Sequence, residues 1–237
     1  MQLDSTATDG PFLVGRHEKT VPGPFLFLQL REGKAAWTEG VPDGRQAVHL
    51  FDLRSRKDSV LRTGNLSPVF LAGDVLGWRE EEKPDAPPVL KAVSVRTGEP
   101  VQLPPAITGI ADAAHITGDG RTWTWVSPDY QALHAWRPEW PGPAVVARAG
   151  DGEHIDQVEL AGDIVTWLGG KAVWAADLRT HSRTTLTPEY GGVVASGDAL
   201  LATYLTAGYS KDPAKQAGNT SYVLRASELP PLLPCAS

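Results

Sequence analysis

Leu71-Ala72-Gly73-Asp74-Val75-Leu76-Gly77-Trp78 is the stretch on which the reading of this chain turns. A short apolar run meets Gly-Asp, and a second apolar run ends in tryptophan. Glycine accepts positive φ and aspartate bonds nearby backbone, so the stretch reads as strand, tight turn, strand. The pattern recurs. Ile116-Thr117-Gly118-Asp119 leads to Trp125, Leu160-Ala161-Gly162-Asp163 to Trp167, and Ala195-Ser196-Gly197-Asp198 to Tyr204. A weaker copy, Arg31-Glu32-Gly33-Lys34, leads to Trp37. From Trp37 to Tyr204 the aromatics stand 41, 47, 42 and 37 residues apart. A four-stranded propeller blade occupies roughly 40–45 residues, so the repeat has the length of one blade.

The rest of each repeat supplies two more strands. Third strands are expected at residues 47–53, 90–95, 132–136, 172–178 and 222–226, and outer strands at 100–103 and 184–186. Apolar residues at helical spacing are missing, while short alternating runs between turns abound. The expectation is an all-β single domain over residues 1–237: a β-propeller of about five four-stranded antiparallel blades. Met1-Gln2-Leu3-Asp4, Asp9-Gly10 and Pro11-Phe12-Leu13-Val14 resemble a third strand, a turn and a fourth strand. Either Phe12-Leu13-Val14 closes the ring as the missing outer strand of the last blade, or upstream blade sequence is lacking. Closure is preferred, because it removes exposed sheet edges.

Composition agrees. The 237 residues are 41% hydrophobic, enough for a packed core, and 24 Gly and 20 Pro suit frequent turns. The net charge of −6 argues against nucleic acid or an anionic membrane as partner. Cys235 is the only cysteine, so no internal disulfide or multi-cysteine metal site is expected. No apolar run reaches membrane-spanning length, so no membrane insertion is expected. No signal peptide is visible at Met1, which places the protein in the cytoplasm if Met1 is the native start and outside it if a signal was removed.

The strand, Gly-Asp turn and aromatic strand together resemble the TolB-like propeller repeats of bacteria. There a Ser-Pro-Asp-Gly turn stands where Ala-Gly-Asp stands here. The resemblance covers most of residues 24–226 through a short motif, and it implies a binding or scaffolding module.

Because the aromatics repeat at one blade position, they are expected to fill space between sheets rather than to stack on a ligand. Asp74, Asp119, Asp163 and Asp198 are expected to hold turns. Function is sought where the repeats diverge. Loops between outer and next inner strand, and between second and third strands, share one face of a propeller. That face carries Glu39, Arg79, Glu80, Asp112, Asp129, Tyr130, Glu153, His154, Asp156, Tyr190 and Tyr209. The candidate ligand-binding set is Glu39, Glu80, Asp112, His154, Asp156 and Tyr209, beside the long polar loop between Ala207 and Thr220.

The expected function is non-catalytic binding or scaffolding, with a protein, peptide or glycan ligand, no cofactor and no metal. The alternative is a glycan-acting hydrolase using Asp112 and Asp156, with Glu39 or Glu80, as carboxylates at the central channel. No nucleophile elbow, phosphate loop or dinucleotide fingerprint is present. His17, His49, His115, His134 and His181 are isolated in sequence and are read as structural or exposed.

Overall fold

The computed structural model describes residues 26–31, 33–67, 69–83, 86–187, 191–205 and 219–229. Phe12-Leu13-Val14, the expected closing strand, and Tyr209 with the loop before residue 219 lie outside these residues.

The described chain forms five antiparallel meanders. The first is β1 (Leu26–Arg31), β2 (Lys34–Gly40), β3 (Gln46–Asp52) and β4 (Lys57–Leu66). The second is β5 (Phe70–Ala72), β6 (Val75–Glu81) and β7 (Val89–Ser94). The third is β8 (Ala114–Gly118), β9 (Trp123–Val126), β10 (Ala132–Trp136) and β11 (Ala144–Arg148). The fourth is β12 (Ile155–Ala161), β13 (Ile164–Gly169), β14 (Ala172–Asp177) and β15 (Ser182–Thr185). The fifth is β16 (Gly191–Ser196), β17 (Ala199–Leu205) and β18 (Asn219–Arg225). First, second and third strands thus fall where the repeat places them.

The outer strand of the second meander is weaker than expected. Residues 100–103 contribute one bridge, Val93 to Pro100, and one further bond, Val101 N–H to the Ala92 carbonyl at 2.9 Å. Pro100 has no N–H to donate, and Pro104-Pro105 starts a single helical turn, Pro105–Thr108.

Two junctions between meanders carry backbone pairing. Asn65 and Leu66, at the end of β4, pair with Glu81 and Glu80 of β6, and Ser67 N–H donates to the Arg79 carbonyl at 3.2 Å. The outer strand of the first meander therefore runs into the inner strand of the second with almost no loop. Ala72 of β5 also bridges Gly118 of β8 in parallel. That approach needs small residues. A Cβ on Gly118 would stand 2.5 Å from the Thr122 carbonyl oxygen, and one on Gly73 would stand 2.4 Å from that of Asp119.

Inner strands β1, β5, β8, β12 and β16 pack side by side in chain order. The core lies between meanders, as the repeated aromatics predict. Trp78 packs with Val48 and Leu50 of the first meander, Trp125 with Phe70 and Leu90 of the second, and Trp167 with Val126 and Leu133 of the third. Ile164 and Val173 of the fourth meet Val193 and Leu200 of the fifth. Tyr204 differs: it is half-buried and meets Tyr222 of its own sheet edge to face.

Of the turn aspartates, Asp119 bonds the backbone of its own turn, while Asp74 and Asp163 bond groups outside theirs. Asp74 accepts from the Ser94 hydroxyl (2.8 Å) and Arg96 N–H (3.1 Å), and Asp119 from Arg121 and Thr122 N–H (2.8 and 2.6 Å). Asp163 accepts from Arg137 and lies 3.3 Å from Arg179.

Candidate functional site

The five inner strands border a cavity of about 640 Å³, with Gln29 of β1 and Val194 of β16 on the same wall as residues of β5, β8 and β12. Its wall is mixed, with Val69, Phe70, Ile116, Val158 and Val193 beside a comparable number of polar residues. Arg79, His115, Tyr130, Gln157 and Glu159 are its main polar groups.

A recurring backbone irregularity puts some of these side chains there. In β8, His115 and Ile116 together stand opposite Trp125, because pairing shifts between Ala114–Val126 and Thr117–Thr124. In β12, Gln157 and Val158 stand opposite Trp167 in the same way. In β1 the shift again falls opposite Trp37. These are β-bulges, which add one residue and re-aim side chains. The added residues His115 and Gln157 both take φ of 47°. Side chains rarely accept that region, and such strain clusters at functional sites. The fifth meander has no bulge: Gly191 to Ser196 pairs in unbroken register with Tyr204 to Ala199.

Tyr130 reaches the rim by a different route. In the turn after β9, Asp129 accepts from the Ser127 hydroxyl (2.5 Å) and Gln131 N–H (3.1 Å). These bonds, the Ser127 one foremost, hold the Asp129 carboxyl below its ordinary range. The turn closes with Tyr130 N–H on the Ser127 carbonyl and leaves Tyr130 at φ 61°. Ile155 N–H donates to the Tyr130 carbonyl at 2.9 Å, tying this turn to β12.

The rim is a contact chain across two meanders. His115 Nε2 lies 2.6 Å from Asp156 Oδ1. The His115 ring meets Tyr130 edge to face at 5.8 Å, and Tyr130 meets His154 likewise at 6.2 Å. Gln131 Nε2 lies 3.4 Å from His154 Nδ1. From the second meander comes Arg79, which donates to the Ala113 carbonyl. Burial lowers the Arg79 guanidinium pKa, and the nearby charge of Asp112 acts in the opposite direction.

The structure brings His154 and Asp156 together on this rim, with Asp112 exposed beside Arg79. It puts the other two described candidates elsewhere. Glu39 faces His49 at 3.6 Å. Glu80 is buried and accepts from Arg62, with the Trp78 indole N–H 3.4 Å away. His115 and Gln157 escape sequence reasoning altogether. The signal available for them is positional: each stands in the inner strand opposite a wedge tryptophan.

A larger groove of about 860 Å³ lies between the first two meanders, where the outer strand is reduced to a bridge. Its charged groups are already paired, Arg62 with Glu80 and Lys91 with Glu82.

Antiparallel meanders packed side by side in chain order are the arrangement of the β-propeller class, and comparison with solved structures supports the same fold. TolB from Acinetobacter baumannii superposes with a TM-score of 0.55 at 13% identity, over 86% of this chain and 52% of that one. A chain of the nidogen/laminin complex gives 0.53 at 13%, over 85% of each. A puromycin-hydrolyzing peptidase of Mycobacterium tuberculosis gives 0.52 at 14%, over 90% of this chain and 39% of that one. The chain thus spans about half the length of the TolB chain. No protein-family model and no curated protein sequence matches it.

Proposed function

We propose that the chain is a non-catalytic binding module whose five meanders are the blades of one ring, of the TolB-like kind, with a protein, peptide or glycan ligand. The observation that carries this reading is the rim itself. Tyr130, His115, His154 and Asp156 converge from two meanders on the mouth of a cavity whose wall mixes apolar and polar side chains. Presence of β1 and β16 on one cavity wall supports the ring. A hydrolase would need two carboxyl groups facing one substrate. Asp156 is engaged by His115 and by Gln157 N–H (2.9 Å), and Glu39 and Glu80 face other partners, so the hydrolase alternative is left with Asp112 and Glu159 beside the cavity.

The test uses peptide and glycan arrays probed with the full chain, followed by Tyr130→Ala and Asp156→Ala. Both substitutions are expected to weaken capture of any hit while leaving the folded spectrum unchanged. Turnover of chromogenic glycosides that is lost in Asp156→Asn would overturn the reading in favour of the hydrolase.

A further inference from the structure

Arg79 differs from the other arginines that enter the blade junctions. Arg62 donates to Glu80. Arg137 donates to the Thr122 hydroxyl and to Asp163, with its guanidinium 5.5 Å from the Trp140 ring centre. Arg79 is half-buried, makes one hydrogen bond, to a backbone carbonyl, and has no carboxylate within ion-pair distance among the described residues. A guanidinium has five N–H donors in a planar fork, most of them unused here, and Asp112 nearby offsets only part of the effect of burial. The Arg79 side chain borders the inner-strand cavity, where Tyr130 and Gln157 add neutral donors. Three of the five described non-glycine residues in the left-handed region, His115, Tyr130 and Gln157, stand on this same wall.

We propose that the inner-strand cavity binds a monocarboxylate with an apolar tail, the carboxylate on the Arg79 fork and the tail against Val69, Ile116 and Val158. The inference rests on the chain being a binding module and names the chemistry its channel takes. A carboxylate matches one guanidinium in a bidentate pair. A phosphate dianion fits less well, because Asp112, Asp156 and Glu159 share the neighbourhood with that single arginine. The volume of about 640 Å³ is that of a small-ligand pocket. It suits the end of a peptide or a free acid rather than a folded domain.

Isothermal titration of the full chain with four probes tests this. They are hexanoate, hexanamide, acetyl-Val-Leu with a free carboxylate, and the same dipeptide as its amide. At least one acid is expected to bind, with its amide at least tenfold weaker, and the better acid identifies a free or peptide source. Arg79→Gln is expected to weaken the acid at least tenfold, with Arg79→Lys between the two. Equal binding of acid and amide, no binding of either acid at millimolar concentration, or unchanged binding by folded Arg79→Gln each overturns the proposal. The acid-against-amide comparison on the unaltered chain decides the matter even where Arg79→Gln does not fold. An array partner that binds the rim equally well in Arg79→Gln would retain the binding-module reading and remove the carboxylate pocket.

Discussion

At the turn end of the inner strands, Asp74, Asp119 and Asp163 each bind several donors, and Ala72 and Gly118 bring two strands into contact. At the opposite end, Arg79 makes a single hydrogen bond, three side chains hold left-handed backbone, and the strands open around a cavity. The first end repeats from blade to blade and the second does not. Each turn carboxylate is met by several donors, though by different ones in each blade, whereas Arg79 at the rim leaves donors available. The contrast separates what holds the blades from what the blades present, and substitutions at the two ends should separate stability from binding.

The largest effect is expected between the blades. Trp167→Ala removes a wedge packed against Val126 and Leu133, and should lower unfolding free energy by about 3–5 kcal/mol in urea titration. Tyr204→Ala, at a half-buried wedge, should cost clearly less. At the turn end, Gly73→Ala combines φ of 61° with a backbone clash and should cost about 2–4 kcal/mol without changing ligand affinity. A Gly73→Ala protein with full stability would break the contrast at that end.

At the mouth end, Gln157→Gly should leave stability within about 1 kcal/mol of the parent, because glycine relieves φ of 47°. Val193→Gly, in the unbulged β16, should be distinctly worse, since it removes a buried side chain from regular strand. Urea midpoints of the pair measure the difference.

The smallest effect is a pH dependence in two legs. Burial lowers the His134 pKa, and Arg148 lowers it further. A histidine kept neutral in the fold contributes stability above its unfolded pKa of about 6.5, and loses it as pH falls through the depressed folded value. The melting temperature should therefore begin a shallow decline below about pH 6.5, and His134→Phe, which keeps an aromatic ring beside Trp125, should remove that leg. Asp52, held low by Lys34, and Asp129, held low by Ser127, lose their contribution only below about pH 4, where the steeper leg begins. A flat profile from pH 6.5 to 5 in the parent would remove His134 from the account.

Strand order, blade length and the position of the tryptophans were legible in the sequence, because each depends on local rules that recur. Gly-Asp makes a turn between apolar runs, and the aromatic four to six residues on meets the preceding sheet at Trp78, Trp125 and Trp167. Rim residues were only partly legible. His154, Asp156 and Tyr130 belong to loop-forming segments and were found by their divergence. His115 was read as isolated, since Ala114-His115-Ile116-Thr117-Gly118 alternates as a plain strand would. The bulge that re-aims it appears only in the pairing of β8 with β9. Glu39 and Glu80 were assigned to the mouth because both end second strands. Tertiary pairing sets them beside His49 and Arg62 instead, on strands next to their own. Local sequence thus determined the repeating frame. Which side chains share the cavity was decided by register shifts and by charge pairing between neighbouring strands, and neither leaves a mark on a single strand's sequence.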